Sequence, residues 1–232
     1  MQHKNLWSDY FLECSEWNKY QVIIHSDAGL HHQYEFNINT EVDKKSIVLQ
    51  NFVKPERYKW SFYQIGVEVW KMALLKNPKT EWVQLLSDTT VPTQSCDSFF
   101  SFLQLHSKSF VPAWIDSTVN PRKPKYYSGT FYKSSQFLTL NRNDTLFLIL
   151  QDEIITRKVF TSCSVNRDCV PDEHVPVNLL LWNNISFINT SLTYIAWVNP
   201  NVDEHPISYK SMNELPKYVF KDYFFARKVE SS

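Results

Sequence analysis

The sequence predicts a mixed α/β domain, and three observations carry that prediction. Short β-branched and aromatic runs alternate with segments whose apolar residues recur at helical spacing. Turn residues punctuate the boundaries, as at Ser26-Asp27-Ala28-Gly29 and Ser87-Asp88-Thr89-Thr90. The 232 residues are 43% hydrophobic and 21% charged, enough for a sizeable core and incompatible with a disordered chain. There is no internal repeat, low-complexity tract or linker, so residues 1–232 are read as one domain.

Tyr20–His25 (YQVIIH) is a β-branched run stopped by a turn, and Ser46–Phe52 (SIVLQNF) is a second short strand. Across Trp60–Lys76, Phe62, Ile65, Val69, Trp70, Ala73 and Leu74 share one helical face; Pro78 lies just past the end. Trp60 and Trp70 on that helix are core residues rather than a ligand platform. Trp82–Leu86 is a buried strand, and Asp97–Leu105 a helix behind a plausible cap. Residues 108–129 hold three prolines and little periodicity, which predicts a long loop, and long loops in compact domains usually serve function. Phe137–Leu140 is a strand. Asn141 then caps a helix with Leu146, Phe147, Leu150 and Ile154 expected on its buried side. Pro171-Asp172-Glu173 opens another helix that runs through Leu179–Trp182. Leu192–Trp197 is a strand, and the remainder mixes a short helix near Met212 with Phe220–Arg227.

Composition closes several routes to function. The 24 Lys and Arg cancel 24 Asp and Glu, so bulk charge holds no duplex nucleic acid, and no nucleic-acid partner is expected. Gly29, Gly66 and Gly129 are the only glycines, too scattered to cradle phosphates in a P-loop or dinucleotide turn. No apolar run reaches the eighteen or so residues of a membrane span. MQHKNLWSDY lacks the basic-then-apolar order of a signal peptide, so a soluble, cytoplasmic protein is expected. Cys14, Cys96, Cys163 and Cys169 form no zinc-knuckle spacing; Cys163 and Cys169 either bridge a tight loop or remain thiols. The sequons at Asn143, Asn184 and Asn189 do not decide the compartment.

Chemistry concentrates at strand ends and one helix start. Ligands of open α/β sheets bind beyond the carboxyl ends of strands. Asp27 and Asp88 stand there, each able to cap a turn or to accept N–H and O–H groups of a nucleotide. In Cys169-Val170-Pro171-Asp172-Glu173-His174 the carboxylates suit the positive end of a helix, and Glu173 facing a cleft would serve as a general base. Arg227-Lys228 behind the aromatic run Tyr223-Phe224-Phe225 is either a solvated tail or a cation pair aimed at an anionic leaving group.

In their order and spacing, WVQLLSDTTVP, FYKSSQFLTLNR, CVPDEH, LTYIAW, HPISY and FFARK resemble the branching glycosyltransferases. That family contains the core-2/I-branching β-1,6-N-acetylglucosaminyltransferases, the xylosyltransferases and plant relatives, and the resemblance extends from Leu6 to Lys228. It implies a GT-A-type fold with a mixed, mostly parallel central sheet flanked by helices. It also implies inverting transfer of N-acetylglucosamine or xylose from a UDP donor to a glycan or glycoprotein hydroxyl, with no cofactor and no metal. In keeping with that, the sequence contains no Asp-x-Asp triplet. By the resemblance Glu173 is the catalytic base, Asp27 contacts uracil, Trp197 stacks on the acceptor, and Lys228 with Arg227 neutralises the diphosphate. A second upstream cation falls on His205, with Lys210 as the alternative; a neutral His stabilises a departing UDP less than an Arg. Arg122-Lys123-Pro124-Lys125 falls where the family folds over its acceptor. The family's first apolar strand has no counterpart at the start of this sequence, which puts part of the donor pocket in question. The resemblance also offers a Golgi-lumenal catalytic domain as the alternative location.

Two other functions fit fewer of these residues. Asp172-Glu173-His174 and Asp203-Glu204-His205 repeat one tripeptide and would suit a metal-dependent hydrolase, but both lack the i, i+4 His spacing of helical zinc sites. A non-catalytic carbohydrate-binding module, or a pseudo-enzyme of the same family, would use the tryptophans as stacking platforms. His31-His32 is read as a solvated pair.

Overall fold

The computed structural model describes residues 4–15, 20–25, 46–49, 56, 59–115, 130–151, 153–160, 170–197 and 206–230. Among them the helices are α1 (Lys4–Leu12), α2 (Trp60–Lys76), α3 (Cys96–Gln104), α4 (Arg142–Ile149), α5 (Glu153–Val159), α6 (Pro171–Trp182) and α7 (Val219–Asp222). The strands are β1 (Val22–His25), β2 (Ser46–Leu49), β3 (Trp82–Gln84), β4 (Val91–Pro92), β5 (Ala113–Ile115), β6 (Tyr132–Ser134), β7 (Thr139–Asn141), β8 (Thr193–Ile195) and β9 (Phe225–Arg227). Mixed α/β architecture is what the alternating pattern requires.

The sheet differs from the expectation in its pairing. Among the described residues β1–β2 and β8–β9 pair in parallel, whereas β3–β7, β4–β9 and β5–β6 are antiparallel. A mostly parallel character is therefore not seen in this part of the chain. Sequence cannot announce such pairing, because period-two alternation is the same whichever way a neighbouring strand runs.

The main core gathers around α2 and α6, with Trp60, Tyr63, Trp70, Val83, Phe131, Leu140, Val175 and Leu180 at its centre. Both α2 tryptophans are 3% exposed, as their helical spacing predicts. A second cluster joins α1 and α3 to β9 through Trp7, Phe11, Phe99, Leu103 and Phe225. Cys14 and Cys96 form a disulfide across this cluster, with Cα atoms 5.3 Å apart and 82 residues of separation in sequence. The sequence reading considered only Cys163 and Cys169, which lie outside the described residues. Spacing carries no signal for a bond between cysteines this distant in sequence.

Two elements depart from their predictions. Asn141 caps α4 by accepting from the Asp144 N–H at 2.8 Å, but the helix ends at Ile149 and a new one begins at Glu153. Thr145 and Leu148 face the core and Leu146 and Phe147 are half-buried, while Leu150 (77%) and Ile154 (67%) are exposed, contrary to the buried side expected for them. The stretch predicted as loop from residue 108 instead pairs early. Phe110 bridges Thr139 and Ile188, and Ala113–Ile115 forms β5. The proline-bearing remainder, including Arg122–Lys125, lies outside the described residues.

Candidate active site

Glu173 stands in the first turn of α6, behind Pro171 at the helix start. Pro presets the first-turn backbone, and the positive end of the helix dipole favours a carboxylate there. The turn is held by side chains from β6 and from the helix itself. Ser134 Oγ donates to the Glu173 carbonyl at 3.0 Å. Asn178, wholly buried, donates to the Tyr132 carbonyl and to the His174 carbonyl, each at 2.7 Å. Its Oδ1 accepts from the Tyr132 N–H at 3.0 Å, so one amide closes both backbone groups of a strand residue. Pro176 sits inside the helix and has no N–H to offer the carbonyl four residues back, and the side-chain ties add to the backbone bonds that the Glu173 and His174 N–H groups donate to the Val170 carbonyl.

The two neighbouring carboxyls have opposite surroundings. Glu173 Oε2 lies 3.1 Å from Lys133 Nζ on β6, and both side chains are about a quarter exposed, at 24% and 23%. Asp172 is half-buried, with its Oδ1 shielded from water and without a hydrogen-bond partner. Burial, reinforced by the charge of Glu173, pushes its carboxyl up to about 7, against the smaller pull of its own backbone and Lys133. His174 turns inward: its ring is buried, stacks on Phe131 with centroids 5.2 Å apart, and its Nδ1 lies 2.8 Å from the Val170 carbonyl. A histidine sealed in the core offers the Asp172-Glu173-His174 tripeptide no ligand for a metal. Asp203, Glu204 and His205 lie outside the described residues.

The cationic end is built by sheet register. In β9, Phe225-Ala226-Arg227 pairs antiparallel with β4 (Val91↔Ala226) and parallel with β8 (Ile195↔Arg227). The Arg227 guanidinium lies over the Phe137 ring, 4.4 Å from its centroid. Just beyond, the Val229 N–H donates to the Thr89 carbonyl, which draws the Ser87–Thr90 turn with exposed Asp88 against the end of β9. Ser87 and Thr90 hydroxyls, 2.9 Å apart, brace that turn. The Tyr209 N–H donates to the Lys228 carbonyl, bringing Lys210 to the same edge, where Lys210 is exposed and its N–H donates to Glu214. Trp197 follows β8 at 45% exposure. Asp88, Trp197, Lys210, Arg227 and Lys228 thus meet at one sheet end; Asp27 and His205 lie outside the described residues.

Carboxylate and cations are linked through one short segment. Ser134 bonds the Glu173 backbone, and Phe137, three residues on, carries Arg227. Three residues span at most about 11 Å. Lys133, Phe137 and Asn178 were missed by the residue-by-residue reading, although Lys133 and Phe137 stand within the FYKSSQF motif. A lysine amid strand aromatics was the available signal for Lys133; nothing local marked Asn178.

A mixed α/β scaffold thus joins the helix turn that carries Glu173 to the sheet end that carries Arg227 through the Ser134–Phe137 segment. The family model for Core-2/I-branching enzymes matches residues 2–222, and the chain belongs to that family of glycosyltransferases. It is also 24% identical over 176 residues to "Glycosyltransferase BC10" of Oryza sativa subsp. japonica. That alignment covers 62% of this chain and 44% of the rice protein, so the chain spans less than half the length of its curated relative.

Proposed function

We propose that this protein is an inverting, metal-independent transferase on a GT-A-type fold. It moves N-acetylglucosamine or xylose from UDP to a hydroxyl of a glycan or glycoprotein. The observation that carries the reading is the Ser134–Phe137 segment, which touches both the Glu173 turn and the Arg227 guanidinium. Glu173 accepts the proton of the acceptor hydroxyl as that oxygen bonds to the anomeric carbon from the face opposite UDP. The bond between the anomeric carbon and the phosphate oxygen breaks, and UDP leaves with the electron pair. Arg227 and Lys228, with His205 or Lys210, stabilise the charge that develops there. Asp27 and Asp88 bind the donor, and Trp197 meets the acceptor sugar.

The disulfide between Cys14 and Cys96 supports the lumenal location over the cytoplasmic one, since such bonds persist in oxidising compartments. No helix among the described residues is long and apolar enough to cross a membrane. UDP-sugar turnover measured with and without EDTA tests the proposal. Unchanged rates are expected, and a strict Mn²⁺ requirement would refute the cation-pair mechanism.

A further inference from the structure

The antiparallel pair β5–β6 places Trp114 directly opposite Lys133. Residues facing each other across an antiparallel ladder share one face of the sheet, with Cβ atoms about 5 Å apart. Lys133 reaches Glu173 Oε2 at 3.1 Å, so the indole lies on the face that carries this ion pair. Trp114 is nevertheless 47% exposed, which leaves much of its aromatic surface in water. Its backbone is rigidly held. The Asn189 side chain accepts from the Ala113 N–H at 2.7 Å and donates to the Ala113 carbonyl at 3.0 Å. Ala113 and Tyr132 pack against the main core, so the ribbon that presents Trp114 is anchored from behind.

We infer that Trp114 is a sugar-stacking platform of the acceptor subsite, distinct from Trp197. A pyranose has one face of C–H groups, which packs on an aromatic ring, and a rim of hydroxyls, which needs polar partners. Trp114 supplies the flat apolar surface, and the Glu173–Lys133 pair supplies charged partners at its edge. A sugar stacked there turns its rim toward Glu173, so ring and carboxylate together select which hydroxyl is presented. Trp197 lies past the end of β8 on the sheet that carries Arg227, and therefore serves a different part of the bound substrates.

This inference rests on the transferase reading, and its test separates the two. Wild type, Trp114→Ala and Trp114→Phe are compared for transfer to methyl glycosides of galactose, xylose and N-acetylglucosamine. Acceptor-free UDP-sugar hydrolysis and calorimetric binding of the same glycosides are measured alongside. Trp114→Ala is expected to raise the acceptor KM at least tenfold and to leave hydrolysis and the donor KM unchanged, with Trp114→Phe restoring part of the loss. Wild-type transfer with an unaltered acceptor KM in Trp114→Ala overturns the inference, as does an equal fall in transfer and hydrolysis. Glycoside binding that Trp114→Ala abolishes, in a protein that transfers no sugar, upholds the stacking site and overturns the transferase reading. A wild type that neither transfers nor binds the glycosides overturns both.

Discussion

The first turn of α6 and the end of β9 carry opposite charges and are built by opposite means. Glu173 is placed by a local device, a proline-led helix start whose positive dipole end favours a carboxylate, and then by side-chain bonds from Ser134 and Asn178. Arg227 is placed by register between β4 and β8 and by the Phe137 ring. A helix start orients its side chains within one turn, whereas a strand end inherits its position from partners far along the chain. The acid is thus set by its own helix turn and then tied to β6, the cation by strand register and one ring, and substitutions that disturb each should fail differently.

The largest effect is expected for Glu173→Gln, which removes the proton acceptor while keeping the shape of the side chain. Transfer should fall by about 10²–10⁴-fold with UDP binding retained; near-normal turnover would remove Glu173 from the role of base. Arg227→Gln tests the other end. Losing one preorganised electrostatic contact costs on the order of 3 kcal/mol, roughly a 100-fold drop in kcat, again with the fold intact. Should Arg227→Gln alter acceptor KM alone, the cation would belong to the acceptor and the comparison would have to be redrawn.

Asn178→Ala sharpens the contrast from the structural side. It leaves buried backbone groups of Tyr132 and His174 without their partner, so a loss of about 3 kcal/mol is expected in denaturant unfolding. Stability unchanged within about 0.5 kcal/mol would show that the first turn of α6 does not depend on these bonds.

A further effect concerns Asp172 and appears only with pH. Its carboxyl is raised from 3.8 to about 7 in the fold, so the native state favours the neutral form. That contribution is complete below about pH 4 and is lost as pH rises through 7. Asp172→Asn carries no charge at any pH. It should therefore melt higher than the wild type at pH 8, with the gap closing toward pH 4. Parallel melting curves for the two proteins across this range would mean that Asp172 does not titrate as a buried acid.

Much of this organisation is legible along the chain. The span of α2 follows from its apolar spacing, the α6 start from Pro171, and the α4 cap from Asn141, because each is decided by interactions within about one turn. The break after Ile149 and the pairing of β5 were not legible. Both depend on which surfaces of the core remain to be covered, and periodicity over a short window records only that residues are apolar. Lys133 illustrates the same limit: its motif was visible, but its ion pair with Glu173 needs β6 and α6 to lie side by side.

By itself the sequence determined the alternation of strands and helices, the motif order that marks a Core-2/I-branching enzyme, and the carboxylate that leads α6. These are properties of neighbouring residues and of their order. Tertiary structure alone decided that β4 and β8 flank β9, that Cys14 meets Cys96, and that Trp114 shares a face with Lys133. Each of those contacts joins residues 19 or more positions apart, and only packing of the whole core selects one such pairing among the many that the same local patterns permit.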